Sequence, residues 1–118
     1  MRVNNDFGLM TPELHLFHGR RKCRKFLKRN GWKRVKFYST GAQMFYDNAV
    51  ATILIEYEGD RMAEYSLLVH ECYHAAVSHM EWMGEDDYGE ESMAYLIQTI
   101  SHGVLEAHDA WRRKRKVV

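Results

Sequence analysis

The stretch Leu68-Val69-His70-Glu71-Cys72-Tyr73-His74-Ala75 holds the residues whose types and spacing could do chemistry. Histidines four positions apart on a helix lie about 40° apart in projection and about 6 Å apart along the axis, so both imidazoles can meet one ion. Two neutral imidazoles suit zinc, and a catalytic zinc takes a third protein ligand while keeping one position for water. Glu71 follows the first histidine, which places its carboxylate beside such an ion rather than on it. There it can take a proton from water that the zinc has made more acidic. The H-E-x-x-H pattern on a helix thus combines two ligands and a base in five residues.

Several elements must position these groups. Ala51 to Tyr57 is rich in β-branched and aromatic residues and is predicted as the strongest strand, ended by Glu58-Gly59-Asp60. Arg61 to Met83 follows as a helix with Asp60 as its cap. Its apolar stripe is Met62, Tyr65, Val69, Cys72, Tyr73, Ala76, Met80 and Met83, with His70, His74 and Glu81 nearly opposite. Gly84 to Gly89 is an acidic loop. Glu90 to about Arg113 is a second long helix, with Met93, Leu96, Ile97, Ile100, Val104, Ala107 and Trp111 as its apolar stripe. Upstream, Thr11 as cap and Pro12 at the first helical position predict a helix start, Gly19 interrupts it, and Asn30-Gly31 stops it. Cys23, Phe26 and Leu27 are its core contacts. Trp32 to Ser39 is predicted as a strand, Gln43 to Tyr46 as a second short one, and Asp47-Asn48 as a turn. The expected architecture is α+β in a single domain over residues 1–118, with a basic tail from about 112. An N-terminal helix and a small antiparallel sheet precede the histidine helix and a second long helix.

These residues resemble the zincin-like metallopeptidases, in particular those whose third zinc ligand is a glutamate on the next helix, including short phage- and prophage-encoded proteins. The resemblance covers about residues 51 to 100. It implies one zinc ion held by His70, His74 and Glu91, Glu71 as general base, and Ala51 to Tyr57 as an edge strand that aligns a peptide substrate. On the second helix Glu91 shares a polar face with Tyr95, Gln98, His102 and Asp109, which favours it over Glu90, about 100° away, and over Asp86 and Asp87 in the preceding loop. In many such proteins an aspartate one turn after the glutamate orients a ligand histidine; here that position is Tyr95. Tyr95, Gln98 or a backbone carbonyl must then accept the outer histidine N–H. Tyr95, His102 and Tyr88 are the candidates for a group that orients the ligands or steadies an oxyanion. His102 lies about 16 Å along the helix from Glu91, too far for the same ion. His79 faces away from the metal, and His15, His18 and His108 read as surface or local structure.

Composition narrows the classes. A chain of 118 residues, 46% hydrophobic and 28% charged, can bury a modest core, and no apolar run approaches the length a membrane helix needs. The start of the chain lacks an export-type apolar segment, and Cys23 and Cys72 form no framework, so a cytoplasmic chain with two free thiols is expected. The net charge of +1 conceals ten Lys/Arg and no acid between Arg20 and Lys36, then fourteen acids and one base between Asp47 and Asp109. Arg112-Arg113-Lys114-Arg115-Lys116 closes the chain. Such runs are ordinarily solvated helix faces and frayed tails, but Arg20–Lys36 and Arg112–Lys116 could also hold an anionic partner. The function expected is a zinc-dependent hydrolase acting on a peptide or related amide bond of a protein or peptide substrate. The alternatives are an inert zinc-stabilised module that binds nucleic acid or an acidic protein, and a metal-free helical interaction protein.

Overall fold

The computed structural model of the chain describes residues 1–3, 11–84 and 89–116. Four strands, β1 (Arg2–Val3), β2 (Glu13–Phe17), β3 (Ala42–Asp47) and β4 (Val50–Ile55), form one sheet in the order β1-β2-β4-β3. β2 runs parallel to β4, while β1/β2 and β3/β4 are antiparallel. The sheet is therefore mixed rather than antiparallel. The architecture is α+β, with helix α1 (Arg20–Arg29) on one face and helices α2 (Arg61–Trp82) and α3 (Glu90–Lys116) on the other. No helix among the described residues is long and apolar enough to cross a membrane.

Glu13–Phe17 is a strand, not the continuation of a helix begun at Pro12. Leu14 and Leu16 face α2 and α3, and Phe17 faces α1. Helices cover both faces, so the segment shows no polar alternation and its period is hidden. The helix begins only after Gly19 and ends at Asn30-Gly31, with Cys23 and Leu27 buried and Phe26 packed beside them, as expected. Trp32 to Ser39 forms no strand. Its apolar residues Trp32, Val35 and Phe37 pack over Phe45, and the Gln43 side chain accepts from Tyr38 N–H and donates to the Lys36 carbonyl. A side-chain amide thus meets backbone groups that a strand neighbour would otherwise satisfy.

β3 and β4 form a hairpin through Asn48 and Ala49, both left-handed (φ 47° and 65°), the twist a two-residue turn needs. β4 is buried along Ala51–Ile55 and paired on both sides. It is therefore a central strand, and the expectation that it forms the substrate-aligning edge is corrected. β-branched, apolar runs without alternation belong in the middle of a sheet covered on both faces. The edge next to α2 is β3.

α2 starts where expected, with Asp60 Oδ1 accepting from Ala63 N–H at 2.9 Å. Its buried side differs from the expected stripe. Leu68, Cys72, Ala75, Ala76 and Met80 form the core together with Glu64, Glu71 and His79, while Met62, Val69 and Tyr73 are exposed. Glu64 and His79 belong inside because partners on other elements hydrogen-bond them, which hydrophobicity alone does not register. The α3 stripe is as expected: Leu96, Ile100 and Val104 are buried and Met93, Ile97 and Ala107 pack against them. Both cysteines are free and buried, and burial pushes each thiol up to about 12.

Candidate metal centre

Mid-way along α2, one helical turn brings His70 and His74 side by side on the solvent side of the helix. Their Nε2 atoms are 3.2 Å apart, with ring centroids at 4.8 Å and planes at 76°. Two nitrogens bound to one tetrahedral zinc at 2.0–2.1 Å lie roughly 3.3 Å apart, so the pair already has the separation of two ligands on one ion. Glu71, 100° further round the helix, points toward the core and is 7% exposed. The three side chains bring their ligand atoms within 4.8 Å of one another. Burial pushes the Glu71 carboxyl above its ordinary value, and His74 and His70 pull the other way.

Glu71 Oε2 is buried with no hydrogen-bond partner among the described residues. A carboxylate oxygen left so costs about 1–3 kcal/mol or more, which a folded chain keeps where a ligand or a reaction uses it. Two imidazoles at this separation fit a divalent metal such as zinc, and the carboxylate next to them fits a group that acts on the ion's bound water.

The other residues expected at the site are not brought to it. Glu64 pairs with His108 and Arg112, and Tyr65 with Asp109, so α2 and α3 run antiparallel with the histidine pair level with about residue 100. Glu91 stands in the first turn of α3, exposed and about 13 Å further along the axis. It is not part of the cluster, and neither is Glu90 beside it. Asp86, Asp87 and Tyr88 lie outside the described residues. Tyr95 is 62% exposed on α3. His102, a candidate for orienting the ligands or steadying an oxyanion, is exposed, with Glu106 at 3.3 Å. A position opposite an apolar stripe proves here to be the solvent side of α3, not the side facing α2.

The remaining histidines are structural. His79 is buried and bonded through Nδ1 to the Tyr46 hydroxyl at 2.7 Å, with Trp82 stacked on it. His15 is buried against the Phe26 ring. His108 is buried: its Nε2 meets Glu64 Oε1 at 2.7 Å and its Nδ1 meets His18 Nε2 at 3.0 Å. Trp111 stacks on His18 at 3.7 Å, and Arg112 and Gly59 N–H also donate to Glu64. This Glu64–His108–His18 chain ties α2, α3 and the end of β2 together. The reading of His15, His18 and His108 as surface or local structure is thereby corrected in part: its structural half holds, but His15 and His108 are buried rather than at the surface, and the His18–His108 contact joins distant elements. The signal for His108 was the i+4 ridge Leu96-Ile100-Val104-His108, which extends the buried stripe by one turn.

No protein-family model, curated protein or solved structure matches this chain.

Proposed function

We propose that the chain is a zinc-dependent hydrolase that cleaves a peptide or related amide bond, with His70 and His74 as ligands and Glu71 as general base. One observation carries this: the two Nε2 atoms at 3.2 Å, within 4.8 Å of a buried carboxylate of which one oxygen has no hydrogen-bond partner among the described residues. When bound, zinc supplies a Lewis acid that polarises a carbonyl and acidifies water. The chain's own part is to hold the imidazoles one turn apart and to keep Glu71 desolvated and above its ordinary pKa, hence a stronger base. Exposure of the histidine pair leaves the centre open to a large substrate.

A catalytic zinc takes three protein ligands. Glu91, the third ligand in this proposal, must come closer than its place in the first turn of α3. Equilibrium dialysis and calorimetry of the purified chain should give one zinc per chain, lost in His70→Ala and in His74→Ala. Glu71→Gln should keep the zinc and lose hydrolysis of a casein or peptide-library substrate. Hydrolysis undiminished in Glu71→Gln refutes the base. A wild-type chain that takes up no zinc refutes the centre.

A further inference from the structure

The basic run from Arg20 to Lys36 becomes one surface in the fold. All ten of its Lys and Arg side chains are exposed. Cys23 and Leu27 turn the apolar side of α1 into the core, so Arg21, Lys25 and Lys28 stand on the opposite side, spread over about 10 Å of helix. Among the described residues, the ion pair in this stretch is Arg20 with Glu56. Arg20 and Arg24 also lie over the Phe37 ring, and Lys36 lies over Tyr38, which is 53% exposed. Among the described residues no carboxylate neutralises the remaining cations, and Lys28 Nζ donates to the Lys33 carbonyl at 3.3 Å, which draws the loop after α1 to the same face.

Chemistry selects the partner. A helix that lies in a membrane interface presents its apolar side to lipid, and that side of α1 is used in the core. A protein-binding surface centres on apolar and aromatic groups and is poor in lysine, whereas this face is Lys and Arg throughout. A dense cationic face with an aromatic at its margin matches a track of phosphates. We propose that the α1 face binds the phosphate backbone of nucleic acid without reading base sequence. The sheet separates this face from α2, so the surface works independently of the zinc reading above, and a bound duplex leaves His70 and His74 open.

The test is fluorescence anisotropy of a labelled 20-base-pair duplex with the full chain between 50 and 200 mM salt. Three to five phosphate contacts, each contributing about −0.9 to the log–log salt slope, predict binding roughly 40- to 500-fold weaker at the higher salt. The triple variant Arg21→Gln/Lys25→Gln/Lys28→Gln should bind at least about tenfold more weakly at 50 mM and flatten the slope by about 2.7. Glutamine is a good helix former, so its melting curve should stay near that of the wild type. Chelating the metal should leave binding unchanged, which separates this proposal from the hydrolase. Four outcomes overturn it: no duplex binding at 50 mM salt; a triple variant that binds like the wild type; loss of binding only in Arg113→Gln/Lys114→Gln; or polyglutamate or phosphatidylserine vesicles that bind as tightly as the duplex.

Discussion

Glu71 faces a conflict between stability and chemistry that one substitution exposes. Its side chain is buried and Oε2 has no partner among the described residues, so the metal-free fold carries a desolvated carboxylate oxygen worth about 1–3 kcal/mol of destabilisation. Methionine has nearly the same length and helix propensity, so Glu71→Met removes the orphaned atom without opening a cavity. At about 2.1 cal/mol/K per residue, 118 residues give an unfolding entropy near 0.25 kcal/mol/K, or about 4 °C per kcal/mol. The metal-free variant should therefore melt about 4–8 °C above the wild type for a gain of 1–2 kcal/mol, read by circular dichroism with a chelator present. Added zinc at 100 times its dissociation constant stabilises the wild type by about 2.7 kcal/mol. The variant should keep most of that rise, since both imidazoles stay, while hydrolysis vanishes. A metal-free Glu71→Met that melts at or below the wild-type temperature would show that a structural partner satisfies the carboxylate, and the case for a poised base would fall. Loss of the zinc-induced rise would make Glu71 a ligand instead.

Glu64 is the opposite case, a buried carboxylate with three donors. Glu64→Gln should cost about 3–5 kcal/mol, because Arg112 loses its buried counter-charge and the amide NH2 takes the place of the oxygen that accepts from Gly59 N–H; a melting point within a few degrees of the wild type would contradict this. Burial raises the Glu64 carboxyl, but the Gly59 N–H, Arg112 and His108 together hold it below its ordinary value of 4.5, so its contribution is present above that pH and lost as pH falls through the folded value. His18 works the same way with the proton on the other side. Burial first, then His108, lowers it from 6.5 to about 3, so below pH 6.5 the unfolded chain binds a proton the folded chain refuses. Stability measured by urea unfolding should thus fall from pH 6.5 to 5 by up to about 1.4 kcal/mol per pH unit for this group, and His18→Phe should flatten that slope while keeping the stack on Trp111. Ala49→Gly should stabilise the β3–β4 hairpin by about 1 kcal/mol, since alanine there holds φ at 65°; a lower melting point would contradict the strain. Calorimetry on Glu91→Gln should show zinc affinity weakened by at least about tenfold, as the loss of a third ligand requires, and a change of less than about twofold would leave the first turn of α3 outside the centre.

Patterns confined to one element were legible in the sequence. The 3.6-residue period, the Asp60 cap and the Asn30-Gly31 stop set α2, α3 and the end of α1. A four-residue spacing is a property of any helix, which is why His70 and His74 meet without help from the rest of the molecule. Tertiary contacts decided the remainder. Leu14 and Phe17 face opposite helices, so β2 offered no alternation to read, and the place of β4 at the centre depends on which strands flank it. The burial of Glu64, Glu71 and His108 is likewise invisible to a hydrophobicity stripe. A polar group enters a core according to the partners, or the missing partner, that distant elements bring to it, and the antiparallel register of α2 on α3 that leaves Glu91 at the far end is a property of two helices together, written in neither one.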